Sequence, residues 1–185
     1  MNKIIKRIFQ TIVLTICVLY AFLIVYAYTP NETISLGLLQ SDSDQFFQHD
    51  NQRVRYRLFS EWSNEKPNLI LIHGFGNNLG SWNSLAPKIS ESYNVYAIDM
   101  IGFGLSEKPI HYQYTNINQA SIIQSFTEEL NMESFIVGGH SLGGAVAMHV
   151  AMNNQKTQGL ILFNPGIINT GVPEFSKYLN LIFPM

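Results

Sequence analysis

Residues 134–153 read Ser-Phe-Ile-Val-Gly-Gly-His-Ser-Leu-Gly-Gly-Ala-Val-Ala-Met-His-Val-Ala-Met-Asn. The apolar run over 134–138 has the length of a strand buried on both faces. The small-residue run Leu142–Asn153 predicts a helix. Between them Gly139-His140-Ser141-Leu142-Gly143 forms a G-x-S-x-G pattern, followed by Gly144. A serine on a sharp strand-to-helix turn is thrust above the sheet, and glycines two before and two after let strand and helix pack without collision. The helix N-terminus beneath it favours developing negative charge. Ser141 is therefore the candidate nucleophile.

Outward from this stretch, buried strands alternate with helices. Residues 69–72 (Leu-Ile-Leu-Ile) and Asn94–Ile98 predict two further buried strands, and 160–163 a fourth. A loop over 74–80, a helix over 81–89 and a helix over 117–130 separate them. The last of these carries Ala120, Ile123, Phe126 and Leu130 on one stripe. This rhythm means an α/β fold with a doubly wound, mostly parallel sheet. Further upstream, 45–49 and 53–62 are short strands joined by a turn at Asp50-Asn51. Arg53, Arg55 and Arg57 alternate with apolar residues, which suits a half-exposed edge strand with a solvated arginine face.

Two loops carry further candidates. His73-Gly74-Phe75-Gly76 directly follows a buried strand. An acyl-transfer site needs two backbone N–H donors aimed at an oxyanion. Leu142, the residue after the nucleophile, supplies one, and Phe75 is placed to supply the other. Gly74 permits the turn, and His73 reads as a strand-end histidine holding the loop by hydrogen bonds. His140, Gly139 and Gly143 support the elbow. The run Asp99-Met100-Ile101-Gly102-Phe103-Gly104-Leu105-Ser106 reads as a structured turn, with Asp99 accepting from loop amides. Its spacing fits neither the dinucleotide fingerprint nor the P-loop.

Composition bounds the rest. The net charge of −2 over 185 residues gives no electrostatic case for nucleic acid. One cysteine, Cys17, excludes an internal disulfide framework and a cysteine-based metal site. No metal ligand set is assigned. Lys3, Lys6 and Arg7 precede an uncharged run over 8–28, and residues 29–52 after that run contain no Lys or Arg. Twenty-one residues at about 1.5 Å each span roughly 30 Å, the thickness of a bilayer core. The positive-inside rule places the N-terminus in the cytoplasm and the bulk of the chain outside. Residues 1–29 thus read as a signal anchor, or as a cleaved signal peptide if Val25-Tyr26-Ala27 is processed, which would secrete the protein. Residues 30–44 read as a linker and 45–185 as a partial catalytic domain.

H-G-x-G at 73–76, D-x-x-G-x-G-x-S at 99–106 and G-H-S-L-G-G at 139–144 occur in the order and spacing of the α/β-hydrolase superfamily. From about residue 46 to 166 the chain resembles its esterase, lipase, haloperoxidase-like and C–C-bond hydrolase branch. The resemblance implies Ser141 as nucleophile and the N–H groups of Phe75 and Leu142 as oxyanion hole. It implies a small acyl or ester substrate and no metal or organic cofactor. Epoxide hydrolases and haloalkane dehalogenases carry aspartate at the elbow, so they are disfavoured. The phenylalanines, tyrosines and Trp82 near the oxyanion loop suggest an apolar acyl group.

In this superfamily an Asp or Glu and then a His follow the serine. After Ser141 the chain has only Glu174 and His149. His149 lies about 12 Å along the helix axis, too far to reach the serine oxygen. His140 is the elbow neighbour, and His49 and His111 precede the nucleophile. The catalytic acid and base are thus not identified. Residues 175–183 read as the start of a cap helix, after which the superfamily fold continues. Two expectations follow: a fragment of a serine hydrolase truncated after about the sixth strand, or an inactive remnant serving as a binding or scaffold module. An acyltransferase on the same scaffold is a third. In the first case the strand over 160–163 is left as an open apolar edge, which invites aggregation. Residues 30–185 produced alone are then poorly soluble. A soluble monomer with a cooperative melt would refute this.

Overall fold

The computed structural model describes residues 3–28 and 39–166. The chain divides into two compact units, with the N-terminal helix in one and Leu36–Ile168 making up the other. Helix α1, Lys3–Tyr28, is 26 residues long and apolar enough to cross a membrane. Its two threonine hydroxyls are met internally: Thr11 and Thr15 donate to the carbonyls of Arg7 and Thr11 at 3.0 and 2.9 Å. Backbone capture of this kind lowers the penalty of placing a hydroxyl in hydrocarbon.

The second unit is built on six strands: β1 (Asp44–His49), β2 (Gln52–Leu58), β3 (Asn68–Ile72), β4 (Asn94–Ile98), β5 (Phe135–His140) and β6 (Thr157–Phe163). Their spatial order is β1-β2-β4-β3-β5-β6. The first pair is an antiparallel hairpin, β2 meets β4 antiparallel, and β4, β3, β5 and β6 run parallel. The α/β, mostly parallel sheet read from the sequence is therefore the observed fold class.

Alternation along the strands makes two cores. Ile70, Ile72, Tyr96, Ile98 and Val137 face helices α3 (Asn116–Glu129) and α4 (Leu142–Asn153), where Phe126 and Val146 are fully buried. Leu69, Leu71, Val95 and Ala97 face a 3₁₀ turn at Leu79–Trp82 and the short helix α2, Ala86–Ile89. Both faces being covered is why these strands read as continuous apolar runs.

Several local expectations are corrected. The helix expected over 81–89 is broken into the 3₁₀ turn and α2, because Pro87 lacks the N–H that would continue an unbroken ladder. On α3 the buried stripe is Gln119, Ile122, Ile123, Phe126 and Thr127, while Ala120 and Leu130 are only half-buried. Gln119 tolerates burial because its amide donates to the Ile101 carbonyl at 2.8 Å. Strand β2 ends at Leu58, and it is an inner strand on which Arg53 alone of the three arginines stays exposed. Arg55 is buried, 2.7 Å from Asp44 and 3.2 Å from Asp99. Arg57 pairs with Asp44 at 2.7 Å. Acids on neighbouring segments neutralise Arg55 and Arg57 and let them go inside, while Arg53 stays exposed over the Phe46 ring. The part of the linker before residue 39, Glu174 and the helix expected over 175–183 lie outside the described residues. Within those residues β6 is a sheet edge, with Leu160, Ile161 and Leu162 each more than a third exposed.

Burial alone would raise the Asp44 pKa, but the Ser41 amide and the guanidinium groups of Arg55 and Arg57 outweigh it and hold the carboxyl below its ordinary 3.8. Asp44 therefore adds stability above the unfolded-state value of 3.8, and that stability is lost as pH falls through the lower folded value. Removing the shared cation is more severe. Arg55→Met leaves two carboxylates buried without it and should cost about 3–5 kcal/mol in urea unfolding at pH 7. A loss under about 1 kcal/mol would show that water reaches the pair.

Candidate active site

Ser141 sits between β5 and α4 with φ 52° and ψ −116°, a conformation that L-residues rarely adopt. Such a backbone costs on the order of 1–3 kcal/mol and persists only where its surroundings enforce it. Here four hydrogen bonds do so. The Ser141 N–H donates to the Phe163 carbonyl at the end of β6 at 3.1 Å. Its carbonyl accepts from Gly144, Ala145 and Gly166 at 3.0, 3.3 and 2.8 Å. Strand and helix then approach so closely that a methyl group at Gly139 would press on the Gly143 carbonyl, and one at Gly143 on the carbonyls of Ile72 and His73. No larger residue fits at either position. The Ser141 hydroxyl has no hydrogen-bond partner among the described residues, and Ser141 is partly exposed. Leu142 opens α4, so its N–H has no partner within the helix.

The loop after β3 lies against this turn. A methyl group at Gly74 would stand 3.3 Å from the Ser141 Cβ and 2.9 Å from His140 Nδ1. Fully buried His73 holds the loop: its Nδ1–H donates to the Gly74 carbonyl at 2.7 Å, and its Nε2 accepts the Met100 N–H at 3.1 Å. Those partners demand the neutral ring. Phe75 is 69% exposed and meets Phe103 edge-on at 5.6 Å; Phe103 in turn stacks edge-on against His73 at 5.5 Å.

Asp99, fully buried at the end of β4, joins the loops. It accepts the amide N–H of Leu79 at 2.6 Å and of Leu105 at 2.7 Å, besides the Arg55 guanidinium. Sequence reasoning missed Phe103 and the Arg55–Asp44 pair. Only the position of Phe103 inside the Gly-rich loop could have signalled it, and nothing local marks Arg55 as buried. The Phe163 and Gly166 bonds to Ser141 were also missed, since they join segments more than twenty residues apart.

The structure brings together Gly74, Phe75, His140, Ser141 and Leu142 at one end of the sheet. The other histidines lie elsewhere. His49 is held by Ser125 at 2.8 Å and Ser121 at 3.3 Å, His111 is exposed on a loop, and His149 lies on α4 two turns beyond the elbow. Among the described residues no cluster of His, Cys, Asp or Glu could hold a metal ion.

Burial lowers the His73 pKa from 6.5, and the bond to Gly74 and the charge of Asp99 only partly offset it. Protonation would also set an N–H at Nε2 against the Met100 N–H. A depressed folded pKa means that His73 stabilises the fold above 6.5 and that this contribution fades as pH drops below it. Unfolding free energy should therefore fall as pH drops below about 6.5. His73→Gln should flatten that segment of the profile. An unchanged slope would show that another group sets it.

Comparison with known proteins supports this architecture. A family model described as alpha/beta hydrolase fold matches residues 67–179. An uncharacterized protein of Mycobacterium tuberculosis is 34% identical over 129 residues, covering 69% of this chain and 36% of its own. An uncharacterized hydrolase of Bacillus subtilis is 27% identical over 122 residues, covering 60% of this chain and 45% of its own. The chain thus spans less than half the length of these curated relatives. The crystal structure of a membrane phospholipase A, described as a bacterial virulence factor, superposes with a TM-score of 0.65 at 27% identity. That match covers 95% of this chain and 57% of the other. With the family model covering well over half its length, the chain belongs to the alpha/beta hydrolase family.

Proposed function

We propose that the protein is a membrane-anchored serine hydrolase that cleaves a carboxylic ester through an acyl-enzyme on Ser141. One observation carries the reading: a strained serine whose hydroxyl is unpartnered among the described residues, at a helix N-terminus, beside a glycine loop. The serine oxygen attacks the ester carbonyl as its proton passes to a base, and the carbonyl oxygen becomes an oxyanion. The N–H groups of Leu142 and Phe75 stabilise that charge; losing one such donor typically costs about 10²–10³ in rate. Collapse expels the alcohol, which takes up the proton. Water then attacks the acyl-enzyme, releases the acid and restores Ser141.

No base or orienting acid is assigned: His73 and His49 are held by other partners, His149 lies two turns along α4, and His140, the elbow neighbour, closes strand β5. His73, Asp99 and Gly74 act as positioning residues. The Phe75–Phe103 pair offers an apolar wall beside the serine, which favours an acyl chain; the phospholipase likeness supports a lipid ester. Helix α1 is assigned as the anchor, with the N-terminus cytoplasmic and the hydrolase unit on the other side.

A fluorophosphonate probe applied to membranes of cells making the full-length protein should label it. Ser141→Ala should abolish the label, and the protein should stay in the pellet after alkaline carbonate extraction. Labelling that survives the substitution would overturn the assignment of the nucleophile.

A further inference from the structure

The loop between β4 and α3 leaves the sheet at the end that carries Ser141, since β4, β3 and β5 run parallel. Within it Pro109-Ile110-His111-Tyr112 closes a turn, the Tyr112 N–H donating to the Pro109 carbonyl at 3.3 Å. Turn tips favour Gly, Pro, Asn, Asp and Ser, which fit the backbone or bond to it. Here the tip is an isoleucine. Ile110 is 91% exposed, more than any other large apolar residue among those described, those of α1 included.

A single exposed apolar side chain is ordinary. This one has aromatic company and a braced loop. Tyr114, itself exposed, meets Tyr112 edge-on at 5.0 Å and donates its hydroxyl to the Pro109 carbonyl at 2.8 Å. The Tyr112 hydroxyl donates to the Asn118 carbonyl at 3.0 Å. Lys108 donates to the carbonyls of Gly104 and Ser106 at 2.7 and 3.1 Å. The turn thus has its shape before any partner arrives, and presenting Ile110 to one requires little further ordering.

An apolar tip backed by tyrosines matches the layers of a membrane surface: hydrocarbon first, then the headgroup level where amphipathic rings sit. Charges around the turn are mixed, Arg53 and Lys108 against Asp50 and Glu107, so the attraction is apolar and needs no anionic lipid. A bilayer is also at hand. Residues 29–43 are the whole connection between α1 and β1, and fifteen residues extend to at most about 50 Å. We propose that the Pro109–Tyr112 turn inserts Ile110 into the surface of a zwitterionic bilayer and so turns the Ser141 end of the sheet toward the lipid. The proposal rests on α1 as the anchor and gives the ester hydrolase reading its surface of action.

The full-length protein is reconstituted in phosphatidylcholine vesicles with a nitrobenzoxadiazole label on one thiol at a time. Cys17, the single cysteine, reports α1. In a Cys17→Ser background, Ile110→Cys reports the turn, and Asn64→Cys, exposed just before β3 at the other end of the sheet, is the control. Ile110 is too exposed for its replacement to disturb the fold. The label at 110 should emit to the blue of the label at 64. Lipid carrying a doxyl group near the headgroup should quench it about two- to fivefold more strongly. Raised salt should leave that quenching unchanged. An unquenched label at 110 with Cys17 quenched would overturn the docking and leave the anchor standing. A blue-shifted but unquenched label at 110 would show that protein covers the turn, and equal quenching at 64 would show mere proximity; either overturns the proposal. An unquenched Cys17 would overturn the anchor and the docking together.

Discussion

The Asp99 carboxylate is the point on which one end of this molecule hangs. Taking a carboxylate out of water costs several kcal/mol, and the cost is recovered only if its lone pairs are fully used. Here they are: one oxygen takes the Leu79 amide, the other the Leu105 amide and the Arg55 guanidinium. Those partners belong to the loop after β3, the loop after β4 and strand β2. Arg55 passes the linkage on to Asp44 in β1. One carboxylate thus ties three segments together directly and reaches a fourth, β1, through Arg55.

The serine turn is restrained from the other side. Its strained backbone is fixed by bonds to Phe163 and Gly166, and so by β6 and the residues just beyond it. His73 bridges the two sets of restraints, since one ring nitrogen holds the Gly74 loop and the other holds Met100, next to Asp99. Geometry at the elbow therefore depends on a chain of buried polar contacts that runs across the sheet. Most of these links join different elements, though the buried Arg55 Nε finds no partner among the described residues. This is how a fold tolerates an unfavourable backbone conformation at one residue.

Much of this was legible in the residues, and the reason is periodicity. Buried parallel strands need unbroken apolar runs, so 69–72 and Asn94–Ile98 could be read directly, and small-residue spacing placed the strand–helix turn at 139–143. What escaped was set by partners distant in sequence. Arg55 looks like a surface residue until Asp44 and Asp99 are seen beside it. The interruption at Pro87 was visible, but apolar residues on either side masked it. Phe103 could be named within its loop, yet nothing local revealed that it would stack on both His73 and Phe75. Long-range charge pairing and loop–loop contact leave no periodic trace.

The strand order has a consequence for how the protein is made. Strand β3 sits at the centre, hydrogen-bonded to β4 on one side and to β5 on the other, and the second pairing joins Ile72 to Gly139. At about 5–20 residues per second of synthesis, β3 waits some 3–13 seconds with one margin open before its second neighbour exists. Closure of so long a loop also slows the folding step itself. The nascent polypeptide spends that interval partly formed, with Leu69–Ile72 open to pairing with other chains.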